Sequence, residues 1–206
     1  KNVAVVLFTG RPLAIERLDK TAPAILNMWM PGTEGGNASA NLLFGNVVPS
    51  GKITMTFPRV LGQCPIYYNH YTTGRPKLPE DDYNRVRFTS SYLDIPNSPL
   101  YPFGYGLSYT SFEYSDLTLS GETMKAGDKL IASAKIKNTG KYKAKEAVQL
   151  YIRDVKGSCV RPVKELKGFE KIELDVGEER TVSFEINDEM LKYWNKELKF
   201  VAEKGE

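Results

Sequence analysis

The sequence predicts a mixed fold: an incomplete α/β part with a parallel sheet, followed by an all-β antiparallel sandwich. Two observations carry this prediction. Residues 3–8 form a continuous apolar run that ends at Thr9-Gly10-Arg11-Pro12, which is typical of a strand buried on both faces of a parallel sheet. From residue 129 onward, short segments alternate polar with apolar residues and are separated by turn residues, which is typical of antiparallel strands.

The first part of the chain reads as strand, helix, strand. Residues 13–20 are partly helical in pattern, and the apolar run 24–30 ends at Pro31-Gly32. A helix is predicted over residues 33–45, with Thr33 as its N-cap and Gly45 at its C-terminal stop. Residues 53–57 alternate like a strand with one buried face before Pro58.

These elements are too few to cover both faces of a parallel sheet. We therefore expect the chain to begin inside an α/β domain whose earlier strands and helices precede Lys1. Residues 1–60 are assigned to the end of that domain.

A connector is predicted over residues 61–112, because periodicity disappears there and prolines recur among tyrosines. Its most informative stretch is 99–112, where two prolines and two glycines exclude a regular element. The many large apolar side chains of this stretch make a solvated flexible loop costly. The stretch is therefore expected to be an ordered, packed junction between the two parts.

The last part, residues 113–206, is predicted to be an immunoglobulin-like or fibronectin type III-like sandwich. Its strands are predicted at residues 129–137, 147–155, 171–175, 181–186 and 198–202. The final residues look like a turn that leads to a missing strand. The sandwich would then have an open edge that could pair with another chain, which is compatible with a homo-oligomer.

Composition excludes several classes of function. The net charge is only +3 and the lysines are interleaved with acidic residues, so no nucleic-acid partner is expected. Cys64 and Cys159 lie far apart and are expected to be free thiols rather than a disulfide or zinc ligands. No cofactor, metal or membrane segment is indicated. The compartment stays open between the bacterial cytoplasm, the periplasm and secretion.

Three features could carry chemistry, and each has a structural explanation that we favour. Glu34 stands in the loop after the second strand, yet an acidic residue is also favoured at the start of a helix. Gly35-Gly36 lacks the residues of a phosphate-binding motif, so close helix packing is favoured. His70 is the only histidine and has no motif that would supply a catalytic or metal-binding partner.

The connector also contains candidate substrate-binding residues: Tyr67, Tyr68, Asn69 and Arg75. Tyrosines, an amide and a guanidinium in a proline-braced loop can stack on sugar rings and hydrogen-bond their hydroxyls. The alternative is that these aromatic side chains hold the two parts of the chain together. The sequence favours this alternative, so the sugar contact remains a hypothesis.

Several motifs in a fixed order resemble a known family. They are Gly10-Arg11-Pro12, Trp29-x-Pro31-Gly32-x-Glu34-Gly35-Gly36, Leu43-Phe44-Gly45, Pro49-Ser50-Gly51-Lys52 and the run from Tyr101 to Thr110. Together with motifs in the connector and sandwich, they resemble the C-terminal part of glycoside hydrolase family 3 enzymes, most closely bacterial β-glucosidases of the periplasmic type.

The resemblance implies a parent with a barrel, an α/β sandwich domain and a fibronectin type III-like domain. Such a parent would be an exo-acting, retaining hydrolase of terminal β-linked glucose, or of a related sugar such as xylose, in oligosaccharides or aryl glycosides. In the family, the nucleophilic aspartate and the acid/base glutamate belong to motifs that are absent here, so no catalytic residue is assigned to this chain. The β-glucoside or oligosaccharide substrate would be held mainly by the absent barrel.

A non-catalytic carbohydrate-binding or protein-interaction module is the alternative function. It would need an exposed aromatic platform on the sandwich. The aromatic candidates there, Tyr142, Tyr151, Tyr193 and Trp194, are dispersed along the sequence.

Overall fold

The computed structural model describes residues 2–77, 79–80, 82 and 87–205. It divides into two compact units, which are described separately. The first comprises Lys1–Val47, Gly51–Tyr68 and Thr73–Gly106, and the second comprises Val48–Ser50, Asn69–Thr72 and Leu107–Glu206. Among the described residues, no helix has the length and apolar character needed to span a membrane.

The first unit contains a two-stranded parallel sheet with helices, as predicted. Strand β1 (Ala4–Leu7) pairs in register with β2 (Ala24–Asn27), and helix α1 (Glu16–Thr21) lies between them in sequence. Parallel strands need such a crossover connection. The prediction that the first strand is buried on both faces is wrong for this chain: its residues are half-buried at most and Phe8 is exposed. This two-stranded sheet has too few elements packed against it to bury both of its faces.

Helix α2 (Gly35–Leu43) occupies the predicted place, but its N-cap is Glu34 and not Thr33. The Glu34 side chain makes no capping hydrogen bond. The C-terminal stop is as predicted: Gly45 follows the helix with φ +77, a left-handed conformation that glycine adopts without a steric penalty. The helix therefore ends because of its glycine and begins without a side-chain cap.

The predicted strand over residues 53–57 is wrong. Its two ends bond to the connector, where Ile53 N–H donates to Tyr105 O and Phe57 N–H donates to Tyr101 O. The partner segment cannot continue a ladder, because Pro102 has no N–H and Gly104 turns the backbone with φ +82. Only an isolated bridge, Phe57 to Tyr101, forms within this segment.

The second unit is an antiparallel sandwich, as predicted. One sheet has the order β3-β4-β7 and a second sheet pairs β5 with β6. The strand bounds are β3 Phe112–Leu119, β4 Leu130–Asn138, β5 Ala144–Ile152, β6 Glu165–Leu174 and β7 Glu179–Ile186. Helix α3 (Asp188–Leu191) and the short hairpin of β8 (Tyr193–Trp194) and β9 (Phe200–Val201) follow.

The core of the second unit lies between its two sheets. It consists of side chains that alternate along the strands, and Ile136 and Leu174 are fully buried within it. The other members are Val148, Ile172 and Val182, with Phe112, Ala134 and Phe184 packed against them. Burial of apolar side chains from facing strands stabilises the sandwich.

One side of this sandwich is open. Among the described residues, no strand pairs with the edge of β5 that faces away from β6. A groove of about 430 Å³ lies there, lined by apolar residues that include Ala134, Val148, Leu150 and Phe184. Most of β3 is exposed beside the groove.

Asn138 is the buried polar centre of the second unit, with no exposed surface. Its Oδ1 accepts hydrogen bonds from Thr110 Oγ1 at 2.7 Å and Gly140 N at 3.1 Å. Its Nδ2 donates to Tyr142 O at 2.8 Å and Leu174 O at 3.2 Å. Oδ1 accepts two hydrogen bonds and Nδ2 donates two, so burial leaves no polar atom of this side chain unpaired.

We expect Asn138→Ala to lower the free energy of unfolding by about 3 kcal/mol, because it leaves several buried partners without hydrogen bonds. Urea unfolding followed by circular dichroism measures this. Asn69→Ala is the matched control, since Asn69 is exposed in the same unit and its change should cost less than about 0.5 kcal/mol. Equal losses in the two variants would contradict the role of Asn138.

The C-terminal segment is held by Glu203, whose carboxylate accepts hydrogen bonds from Tyr193 Oη and Ser158 N. The Tyr193 and Ser158 hydrogen bonds lower the pKa of Glu203 from 4.5 to about 2. A lowered folded-state pKa means that the carboxylate stabilises the fold above the unfolded-state pKa and loses this effect as the pH falls towards 2.

Glu203→Gln should therefore lower the melting temperature at neutral pH, and the variant and the parent should converge between pH 4.5 and pH 2. Differential scanning calorimetry across this range is the measurement. Glu170→Gln is the control, because Glu170 is exposed and has no ion pair in the described part of the chain. A difference for Glu203→Gln that is constant with pH would refute the prediction.

Candidate functional site

The loops after the two parallel strands adjoin each other at one edge of the sheet. Thr9 N–H donates to Trp29 O at 3.1 Å, and a methyl group added at Gly10 would lie 2.5 Å from the terminal carbon of Met30. Ligands of open α/β sheets bind beyond this carboxyl edge. The structure therefore brings the loop that contains Glu34 next to the loop that follows β1.

Glu34 stands at this edge, and its contacts are structural. Its Oε2 accepts a hydrogen bond from Asn37 Nδ2 at 2.6 Å, one turn along helix α2. Both side chains are exposed. This contact supports the interpretation of Glu34 as a residue of the helix start.

Four aromatic side chains form a continuous row from the same edge into the connector. Trp29 contacts Phe57, Phe57 contacts Tyr101 edge-on, and Tyr101 stacks on Tyr105, with centroid distances of 5.7, 5.9 and 5.2 Å. Trp29 has φ +54, a left-handed conformation that is uncommon for a large residue. The row fixes the connector on the first unit.

Tyr101 also donates a hydrogen bond from its hydroxyl to Asp19 in helix α1. Burial, and then the hydrogen bond and charge of Asp19, raise the pKa of Tyr101 well above its usual range. The phenol is therefore a hydrogen-bond donor at physiological pH. It serves here as an anchor of the connector.

Asn27 is a half-buried residue whose buried side-chain amide sequence reasoning missed. Both polar atoms of its side chain, Oδ1 and Nδ2, are buried with no hydrogen-bond partner among the described residues. Such groups are costly unless they are paired. The only sequence signal was an amide within the apolar run 24–30. A partner from outside the described residues would satisfy this amide.

The candidate substrate-binding residues do not fall in one unit. Tyr67, Tyr68 and Arg75 belong to the first unit and Asn69 belongs to the second. Tyr67 is 62% exposed, and Asn69 and Arg75 are also exposed. Tyr68 stacks on Phe103 with centroids 4.2 Å apart, so one face of its ring is already covered.

His70 makes local contacts within the second unit. Its Nδ1 lies 3.1 Å from the Tyr71 carbonyl oxygen, and its own carbonyl accepts a hydrogen bond from Val163 N. No group of three or more potential metal ligands occurs among the described residues. Cys64 and Cys159 are free thiols.

Comparison with known proteins identifies the family. Residues 1–109 match the glycosyl hydrolase family 3 C-terminal domain, and residues 146–206 match the fibronectin type III-like domain. The chain belongs to the C-terminal domain family of glycosyl hydrolase family 3. The resemblance seen in the motifs and the mixed fold class are thereby confirmed.

The similar proteins are β-glucosidases and β-xylosidases. The chain is 53% identical over 205 residues to the periplasmic beta-glucosidase of Salmonella typhimurium and 42% identical to a beta-xylosidase of Formosa agariphila. It covers 26% and 27% of these relatives, respectively, and all of its own length is matched. The chain therefore spans about a quarter of the relatives' length and corresponds to their C-terminal part.

A solved structure shows the same fold. The beta-glucosidase from Listeria innocua in complex with isofagomine superposes with a TM-score of 0.92 at 47% identity, over 98% of this chain and 28% of that one. Other structures of that enzyme hold glucose, or laminaribiose in a mutant. The full-length homologue thus binds glucose-like ligands.

Gly106 of the connector packs directly on the backbone of Gly51. A methyl group there would lie 2.2 Å from the Gly51 carbonyl oxygen, and Lys52 Nζ donates to Gly106 O at 2.9 Å. We expect Gly106→Ala to destabilise the protein by about 1–3 kcal/mol, because the backbone must shift. Gly51→Ala, where a methyl group meets nothing within 4 Å, is the matched control.

Urea unfolding curves of the two glycine variants test this contact. The expected result is a lower midpoint for Gly106→Ala and an unchanged midpoint for Gly51→Ala. Tolerance of alanine at both positions would show that the connector is not closely packed at this point.

Proposed function

We propose that this chain is the C-terminal part of a retaining, exo-acting β-glucosidase that releases terminal β-linked glucose from oligosaccharides or aryl glycosides. The observation that carries the proposal is the match over all of this chain, at 53% identity, to the periplasmic beta-glucosidase. The Listeria enzyme in complex with glucose supports it. Terminal xylose is the second candidate substrate, because beta-xylosidase is also among the relatives.

Within that enzyme, the chain would form part of the wall of the active-site cleft and would be inactive alone. A retaining hydrolase needs two carboxyl groups about 5–5.5 Å apart, one as nucleophile and one as acid and base. The carboxylate at the ligand-binding edge, Glu34, is held by Asn37 instead. The family's catalytic motifs are absent from this sequence.

The first unit would be completed by further strands and helices of the same α/β domain. The half-buried strands β1 and β2 and the unpartnered amide of Asn27 support this proposal. We further propose the division into residues 1–60 for that domain, 61–112 for the connector and 113–206 for the fibronectin type III-like domain.

The test is an assay of the purified chain with 4-nitrophenyl β-glucoside, with a full-length family 3 enzyme run in parallel. We expect no release of nitrophenol above the buffer rate, and the same result for Glu34→Gln. Turnover that survives repurification would overturn the inactive role. If that turnover also falls in Glu34→Gln, it would assign chemistry to Glu34.

A further inference from the structure

Two exposed aromatic rings lie side by side on the β8–β9 hairpin of the second unit. Trp194 is 66% exposed and Phe200 is 46% exposed. They are directly opposite each other in the antiparallel register, with ring centroids 5.4 Å apart and planes tilted by 43°. Directly opposite residues of antiparallel strands project from the same face. The sequence suggested that Trp194 is an isolated aromatic residue, but in the structure Phe200 lies beside it.

The hairpin is anchored through the neighbouring residue on its other face. Tyr193 is buried, and its hydroxyl donates to Glu203 Oε2 at 2.5 Å. The guanidinium of Arg161 lies 4.0 Å from the centre of the Tyr193 ring. Arg161 is itself paired with Asp154 and Glu165 at 3.2 and 3.0 Å. These contacts hold the strand that carries Trp194.

The turn of the hairpin is also fixed. Asn195 Oδ1 accepts hydrogen bonds from Glu197 N and Lys199 N, and Asn195 Nδ2 donates to Glu203 Oε1. Lys199 forms an ion pair with Glu197 within the same turn. The two aromatic side chains are thus presented on a preorganised support, which lowers the entropy lost when a ligand binds.

The chemistry of this surface fits a sugar. Aromatic rings offer flat apolar faces with little side-chain entropy to lose, and the indole of Trp194 adds one N–H donor at its edge. A β-linked glucose ring has an apolar C–H face that can stack on such rings and a rim of hydroxyls that can accept a hydrogen bond from the indole N–H. A protein partner needs about 800 Å² on each side, far more than a two-ring surface supplies.

We propose that Trp194 and Phe200 form an accessory carbohydrate-binding platform for β-linked gluco-oligosaccharides. The platform stacks on glucose rings and holds the sugar chain without taking part in hydrolysis. The choice of a glucan ligand rests on the proposed function, which supplies the sugar class. The platform itself rests on the two exposed rings and their rigid support.

Tryptophan fluorescence of the full chain tests the platform, because the chain contains only two tryptophans, Trp29 and Trp194. Laminaripentaose and cellopentaose are the probes. We expect a saturable change in emission with at least one of them, retained in Trp29→Phe and abolished in Trp194→Phe. The Trp194→Phe variant also reports the response of Trp29 alone if Trp29→Phe does not fold.

Phe200→Ala should weaken oligosaccharide binding at least tenfold. This variant keeps Trp194, so its emission still measures the binding. Phe169→Ala is the matched control, since Phe169 is 73% exposed on β6 and lies outside the hairpin. Absence of a saturable response overturns the platform, and so does equal binding by the Phe200→Ala and Phe169→Ala variants. Self-association of the chain that Trp194→Ala abolishes would assign the rings to a protein interface instead. Binding is measured without turnover, so its outcome is separate from that of the hydrolysis assay.

Discussion

The sandwich depends on one buried side chain, the carboxamide of Asn138 at the end of β4. It bonds to Leu174 O at the end of β6, so it links a strand of each sheet directly. Its Oδ1 also accepts a hydrogen bond from Thr110 Oγ1, and this bond fixes the chain just before the first strand of the sandwich. An amide has fixed donor and acceptor directions, so a shift of register by one residue would break several of these bonds at once. Apolar burial provides the stability here, and Asn138 selects the register.

The first unit is governed by a different constraint, which is the need of a parallel sheet for cover on both faces. Two strands with two short helices leave Phe8 and Met30 exposed, and the buried Asn27 amide has no hydrogen-bond partner within the described part of the chain. The unpaired buried amide is costly by itself. Together these features are consistent with a surface that further elements would cover, in a chain that spans about a quarter of its relatives.

Unbroken periodicity explains which elements could be predicted from the sequence. Strands β4 and β7 alternate without interruption and were predicted to within two residues at each end. Strand β3 was missed because its register shifts around Asp116, whose φ of +52 breaks the alternation. The strand predicted over residues 53–57 failed because of its partner segment, which a local pattern cannot include. The Trp194–Phe200 pair could not be predicted from the sequence, because the register of the two strands decides which residues face each other across a hairpin.

Three carboxylates of this chain are engaged in structural hydrogen bonds with tyrosine hydroxyls. Asp19 accepts a hydrogen bond from Tyr101, Glu146 from Tyr114 and Glu203 from Tyr193. The first two contacts join segments that are 82 and 32 residues apart in the sequence. A nucleophile or general base needs lone pairs that are open to the substrate, and these carboxylates use theirs to hold the fold. The same contacts stiffen each of the two units internally. Such stiffness is what the proposed cleft wall and the proposed aromatic platform require, because both would act by presenting a fixed surface to a sugar.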